Sequence, residues 1–270
     1  MSVKKAIIPV AGKGTRFYPA TIASPKEMLP IVNKPLIQYV VEELIDEGVT
    51  EIYFVINSQK KSIEEHFDAY FSRDLSAYMP ISDQQHIQKA TFSYLRQPQA
   101  LGLGHAIWCA RHVIGKEPFV VVLPDEFMPV TNKNNACIRQ LINKYEQCGH
   151  SVIALQEVPK EDINRYGIAM LKDHGLVEHL IEKPELGTIN SQYAVIGRYL
   201  LTANTMRFLE ENQKYTTGNE IQLTPTLDVL ANRDELTGIV YNGERFDCGQ
   251  TKGFVDANIH IATSMEEMSI

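Results

Sequence analysis

The chain has 270 residues, of which 44% are hydrophobic and 22% charged. That is an ordinary globular composition, enough for one large α/β domain or two small ones, and it excludes a fibrous or mainly disordered chain. Lys and Arg number 26 against 33 Asp and Glu, a net charge of −7, so the chain has no electrostatic footprint for nucleic acid or for an anionic membrane surface.

The four cysteines, Cys109, Cys137, Cys148 and Cys248, include no C-x-x-C pair and read as reduced thiols. The opening MSVKKAIIPVAGKG lacks the long apolar core and cleavage site of a signal peptide. No apolar run approaches the ~20 residues that span a bilayer. The expectation is a cytoplasmic protein.

Residues 6–10 are a short apolar run followed by glycines, the pattern of a buried strand. Pro35 opens a helix in which Leu36, Ile37, Val40, Val41, Leu44 and Ile45 recur at helical spacing, and Gly48 closes it. Residues 52–56 are the next strand. Ser62 with Glu65 makes a capping box for a helix to about Tyr70. Residues 72–89 have no clear period and are expected to be a loop with one irregular turn. A strand at 91–95, a helix at 104–114 and a strand at 119–123 follow. The second half is denser in strands, expected at 151–158, 168–171, 176–182, 193–199 and 236–241. Helices are expected from a Thr202 cap to about Glu211, over 221–231 and over 251–263. Strands alternating with helices predict an α/β front with a parallel sheet covered on both faces, and a smaller α+β rear. No repeat or linker divides the chain, which predicts one domain over 1–270.

The loop Gly12-Lys13-Gly14-Thr15-Arg16 follows the first strand directly. Glycines there let backbone N–H groups approach a phosphate or a base. Phe17 stands where a dinucleotide fingerprint needs its third glycine, and no Gly-Lys-Ser/Thr follows, so neither a dinucleotide fold nor a Walker A loop is indicated. Arg16 and Lys26 are the extra cations such a loop needs against a triphosphate, and prolines on both sides stiffen the Lys26 segment. Asp125 ends the apolar strand at 119–123, where open parallel sheets bind their ligands, and suits a metal or a ribose hydroxyl. Gln97 offers a donor and an acceptor on one planar amide, fit for a nucleobase edge, and Leu103-Gly104 leaves room for a base against backbone. Glu182 and Lys183 are strand neighbours whose side chains point opposite ways, so both reach one ligand only if the strand end bends. Asp247, before the closing helix, is a second carboxylate that could join Asp125 around Mg²⁺.

The motifs PVAGKGTRFYPAT, SPKEMLPIVNKPLIQYVVEE, RQPQALGLGHAIWCA, VVLPDE, IEKP, AVIGRYLLT, GNEIQLT and FDCGQTKGFVDANI together resemble the sugar-nucleotidyltransferases, and within them the bacterial UTP–glucose-1-phosphate uridylyltransferases. The resemblance spans almost the whole chain. It implies a Rossmann-like α/β/α sandwich around a mostly parallel mixed sheet, with a nucleotide-binding half over about 1–130 and a sugar-phosphate half over about 131–270. It implies that Ala11 and Gly12 contact uracil, that Gly14, Thr15 and Arg16 meet the phosphates, and that Gln97 and Gly102 recognise the base. By the same resemblance Lys26 neutralises the phosphates in exchange, Asp125 and Asp247 bind Mg²⁺, and Gly167, Glu182 and Lys183 hold glucose 1-phosphate. The implied partners are UTP, glucose 1-phosphate, UDP-glucose and pyrophosphate, with no nucleic acid and no membrane, in a homo-oligomeric dimer or tetramer. Leu101 and Cys248 depart from the family pattern, which commonly has a lysine and a small polar residue there. A relative using dTTP or another sugar phosphate, and a non-catalytic nucleotide-sugar-binding module, remain as alternatives.

Overall fold

The computed structural model describes residues 3–72, 74, 77–130, 135–215 and 220–268. In chain order the strands are β1 (Lys5–Pro9), β2 (Pro30–Ile31), β3 (Lys34–Pro35), β4 (Glu51–Ile56), β5 (Thr91–Arg96), β6 (Phe119–Val122), β7 (Glu126–Phe127), β8 (Ser151–Glu157), β9 (Gly167–Leu171), β10 (Val177–Glu182), β11 (Tyr193–Leu201), β12 (Leu236–Val240) and β13 (Phe246–Asp247). The helices are α1 (Leu36–Asp46), α2 (Lys61–Asp68), α3 (Ile81–Ile87), α4 (Leu103–Cys109), α5 (Arg111–Ile114), α6 (Cys137–Cys148), α7 (Asn204–Tyr215), α8 (Thr224–Ala231) and α9 (Thr251–Met268).

Nine strands from both halves of the chain share one sheet. In the front, β6, β1, β4 and β5 run parallel; the apolar runs of β6, β1 and β4 follow from burial on both faces, whereas β5, at the edge, mixes polar and apolar residues and buries none fully. Successive side chains of β1 divide between the faces: Ala6 and Ile8 join one core with α1, α2 and α6, while Ile7 joins the other with α4, α7 and α8. The result is the expected α/β/α sandwich.

The rear is organised by β11, which is antiparallel to all three of its neighbours. Along one edge its first residues, Tyr193 and Ala194, pair with β9, and its last, Arg198–Leu201, pair with β6. Gly197 lies at the change of partner, with φ of +72°. A Cβ there would stand 2.8 Å from Glu126 Cγ and 3.0 Å from Leu123 Cβ, so glycine is required both for the backbone angle and for the space. The opening left between the end of β6 and the start of β9 is the mouth of the site.

Five local expectations are corrected. Residues 72–89 contain helix α3, entered from Pro80. It buries only Ile87, too little to leave a period in the sequence. Ser62 is not a cap: α2 begins at Lys61 with Lys60 at its N-cap, and the Ser62 hydroxyl is buried with no hydrogen-bond partner. Thr202 is no side-chain cap for α7 either, because its hydroxyl faces Ser151 Oγ at 3.2 Å. The helix expected over 104–114 is also broken at Ala110 into α4 and α5, and α8 starts at Thr224, leaving 221–223 outside it. No helix among the described residues is long and apolar enough to cross a membrane.

Candidate active site

A cleft of about 330 Å³ opens at the carboxyl ends of the parallel strands, lined in part by Arg16, Asp125, Gly167, Glu182, Lys183 and Asp247. Beside it, sharing Leu103, lies a hollow of about 250 Å³ lined by Ala11, Gly12, Gln97 and Gly102 among others. Sequence reasoning therefore gathers residues from both ends of the chain into adjoining spaces. Gly14 and Thr15 line neither; Gly14 starts the short 3-10 turn Thr15–Phe17 with φ of +65°, and its carbonyl accepts from Thr21 Oγ1 at 2.7 Å. That turn projects Arg16, which is exposed, while Phe17 anchors it edge-on against Phe254 at 5.7 Å.

Lys26 sits in a second 3-10 turn, Lys26–Met28, entered from Pro25. The neighbouring Glu27 is buried and bound to Lys60 Nζ at 2.7 Å, which fixes the turn and leaves Lys26 directed elsewhere. Lys26 Nζ forms an ion pair with Asp125 Oδ2. Burial pulls the Lys26 ammonium down, but Asp125 and then Glu27 hold it above the ordinary lysine value. Burial pushes the Asp125 carboxyl up, and Lys26 with Arg16 more than offsets that, so it lies below the usual carboxylate range. Both groups are thus charged across neutral pH.

Asp125 is held from behind. Arg198 on β11, fully buried, donates from Nη1 to Leu123 O and from Nη2 to Glu126 O, each at 2.9 Å, and pairs with Glu43 on α1 at 2.9 Å. The Cys248 N–H donates to Asp125 O at 2.7 Å. Cys248 itself is buried and its thiol is pushed up to about 12, by burial first and then by the nearby carboxylates, so this departure from the family pattern leaves a packing residue.

Asp247 arrives from β13, with Oδ1 accepting from the Gly249 N–H at 3.0 Å and Oδ2 lying 3.6 Å from Arg165 Nη2. A Cβ added to Gly249 would stand 3.0 Å from both Asp125 Oδ2 and Asp247 Oδ1. Two carboxylates from distant segments therefore face one small space that an alanine would fill. That donor set fits a Mg²⁺ ion, which keeps several waters and takes one or two carboxylates together with substrate phosphates. Among the described residues no group of three or more His, Cys, Asp or Glu side chains could hold a metal by itself.

On the rear side, Lys183 adopts a φ of +46° and its N–H donates to Tyr166 O at 2.9 Å. This is the bend that lets neighbouring residues share a ligand: Lys183 Nζ comes within 3.8 Å of Glu182 Oε1, and both line the cleft. Glu182 Oε2 accepts from Thr224 Oγ1 at 2.5 Å, and Gly167 lies against this pair, 3.2 Å from Oε2 at its would-be Cβ.

In the hollow, Gly12 has open space where a Cβ would stand, while Ala11 is buried with its carbonyl bound to Asn57 Nδ2 at 2.8 Å. Gln97 is buried, and its Nε2 donates to Gly102 O at 3.1 Å and to His105 Nδ1 at 3.0 Å. One expectation fails here. Gly104 does not leave room for a base, because its open side is filled by the backbone of 221–222, with Ile221 O 2.9 Å and Gln222 O 2.8 Å from a Cβ position. Gly102 is equally close to Ile221 O, at 2.7 Å. These glycines admit the 220–222 segment, and Gly102 also borders the hollow. Gly218 and Asn219, which open the GNEIQLT motif, lie outside the described residues.

Sequence reasoning missed Arg165, Tyr166, Glu126 and Thr224, which line the cleft, and Arg245 behind them. Arg245 grips both oxygens of Glu126, at 2.7 and 3.3 Å, and Gln156 Oε1 at 2.8 Å. Burial pushes the Glu126 carboxyl up to about 7 against the pull of Arg245, with Asp125 and Asp247 adding to the rise. Arg165 and Tyr166 immediately precede Gly167, and Thr224 ends the GNEIQLT motif, so proximity to assigned residues was the available signal.

With this geometry in view, comparison with known proteins places the chain. The model of the nucleotidyl transferase family matches residues 5–264, and the chain belongs to that family. Within it, the chain is 42% identical over 277 residues to UTP–glucose-1-phosphate uridylyltransferase of Staphylococcus epidermidis, covering 99% of this chain and 95% of that protein. It is 41% identical over 276 residues to the enzyme of the same name from Bacillus subtilis, covering 98% and 93%. The crystal structure of a UDP-glucose pyrophosphorylase complexed with UDP-glucose superposes with a TM-score of 0.87 at 37% identity, over 97% of this chain and 99% of that one.

Proposed function

We propose that this chain transfers the uridylyl group of UTP to glucose 1-phosphate, releasing UDP-glucose and pyrophosphate. One observation carries the reading: Arg16, Asp125, Lys183, Glu182 and Asp247 share a cleft, with Lys26 bound to Asp125, beside a hollow backed by the amide of Gln97. The reading treats the chain as one domain with a nucleotide-binding half, about 1–130, and a sugar-phosphate half, about 131–270, that meet along β11.

In the reaction an oxygen of the sugar phosphate bonds to the α-phosphorus of UTP, and the bond from that phosphorus to the bridging oxygen of pyrophosphate breaks. The attacking oxygen is already ionised near pH 7, so no side chain has to remove a proton. The obstacle is the approach of two anions. Gln97, Gly102, Ala11 and Gly12 seat the base; Gly14, Thr15 and Arg16 meet the triphosphate; Glu182 and Gly167 seat the sugar, with Lys183 at its phosphate. Lys26 leaves Asp125 to reach the phosphates in exchange. Asp125 and Asp247 would hold a Mg²⁺ ion, which when bound would supply neutralisation of phosphate charge and polarisation of the reacting phosphorus. Near-attack positioning contributes up to ~7–11 kcal/mol, and each preorganised charge contact to the transition state ~3–4 kcal/mol.

A cytoplasmic setting and assembly as a homo-dimer or tetramer belong to the same proposal; light scattering of the purified chain tests the assembly. The decisive experiment mixes the protein with UTP, glucose 1-phosphate and Mg²⁺ and measures pyrophosphate release. Stoichiometric pyrophosphate and UDP-glucose are expected, and their absence at any Mg²⁺ concentration overturns the reading.

A further inference from the structure

Gln97 stands just after β5, with its backbone N–H donating to Ile56 O at 2.9 Å. Its side-chain Nε2 has two acceptors, Gly102 O at 3.1 Å and His105 Nδ1 at 3.0 Å. A carbonyl can only accept, so the amide is oriented with its nitrogen inward. His105 Nδ1 must then accept as well, which requires a neutral ring carrying its proton on Nε2. The surroundings favour that form: burial pushes the ring below the ordinary histidine value, and the Arg111 guanidinium adds to the effect. The ring is also stacked on Trp108 at 6.0 Å, and the indole in turn has the Arg111 guanidinium 3.5 Å from its centroid.

With both N–H groups spent, Gln97 has only its carbonyl oxygen to offer a base. We infer that His105 is a positioning residue which, by holding the Gln97 amide in this orientation, makes the hollow select a base whose ring nitrogen at the centre of its pairing edge carries a proton, as N3 of uracil does, over cytosine, whose N3 is a bare acceptor. The inference rests on the nucleotide reading proposed above. If the amide turned over, Gln97 would present N–H to the base and the preference would weaken or reverse. Gly102 O alone holds one of the two hydrogens; the contact to His105 holds the other, and losing a hydrogen bond of this kind is worth about tenfold.

The test compares kcat/KM for UTP and CTP in the wild type, His105→Leu and His105→Asn. Leucine removes the acceptor, whereas asparagine can place its Oδ1 where Nδ1 stands. The UTP-to-CTP ratio is expected to fall about tenfold in His105→Leu, through KM for UTP more than through kcat, and to be restored in His105→Asn. An unchanged ratio in a folded His105→Leu overturns the inference and leaves uridylyl transfer intact. A wild type that does not turn over UTP overturns uridylyl transfer, and the inference with it. A measurement independent of the leucine variant is ¹⁵N NMR of histidine-labelled wild type, with the His105 signals identified by their loss in His105→Asn. An unprotonated Nδ1 and a protonated Nε2 are expected at neutral pH; a protonated Nδ1 overturns the inference.

Discussion

Replacing Gly249 by alanine tests the shared carboxylate space without touching either carboxylate. Gly249 is not among the glycines with positive φ, so alanine meets no backbone penalty. The new methyl would stand 3.0 Å from Asp125 Oδ2 and 3.0 Å from Asp247 Oδ1, closer than ordinary packing, so one or both must retreat by a few tenths of an ångström. The methyl also occupies the space both oxygens face. A displacement of about 1 Å at a reacting centre costs about 100-fold, so a smaller shift with partial exclusion of the ion should lower kcat/KM on the order of 10–100-fold, ~1.4–2.7 kcal/mol. The assay is pyrophosphate release as a function of Mg²⁺, alongside thermal unfolding. The half-saturating Mg²⁺ concentration should rise and the melting temperature should barely move. Asp125→Asn is the companion variant and should abolish Mg²⁺-dependent turnover. An alanine variant with the wild-type Mg²⁺ response would refute the idea that Asp125 and Asp247 hold one ion.

Two other outcomes follow from the same contacts. Lys26→Ala should lower kcat by about 10²–10³ while changing the Kd for UTP by much less, measured by steady-state kinetics and calorimetry; near-wild-type turnover would remove Lys26 from the chemistry. Arg198→Met leaves the buried Glu43 carboxylate without its partner and frees the carbonyls of Leu123 and Glu126. It should cost ~3–5 kcal/mol in urea unfolding, with part recovered by adding Glu43→Gln, and a loss under about 1 kcal/mol would contradict the clamp.

Where a side chain's neighbours are its own sequence neighbours, the sequence was informative. The run at 119–123 and the amphipathic spacing of residues 36–45 declared β6 and α1 because their burial repeats along the chain. Helix α3 was invisible because SDQQH turns polar groups outward around a single buried isoleucine. Ser62 misled because its spacing to Glu65 matches a capping box, yet the chain enters α2 two residues earlier, with Lys60 at the N-cap. Asp125 and the Glu182–Lys183 pair drew notice at strand ends, and Arg16 and Lys26 in the glycine- and proline-marked loops, and the structure brings all five to the cleft or to its Asp125 wall. Arg198 was hidden inside an apolar run, and Gly104 was misread, because what decides each lies far off in the chain: Glu43 and the 123–126 turn for one, the 221–222 backbone for the other. Arg245 and Glu126 are likewise a contact between segments 119 residues apart, brought together where β7 pairs with β13, that no local pattern announces.

The change of partner along β11 also sets how firmly each side of the molecule is closed. Arg198–Leu201 have β6 on one edge and, at Tyr199 and Leu200, β8 on the other, whereas β9 and β10 join the sheet at Tyr193 and Ala194 and through a single bridge, Leu176 to Thr237 of β12. Amide protons should therefore exchange slowly on the far side of Gly197 and sooner in the β9–β10 hairpin, since opening that hairpin breaks few ladder bonds to the rest. Opening of that hairpin would move the wall that carries Gly167, Glu182 and Lys183 while β6, β1 and β4 stay paired.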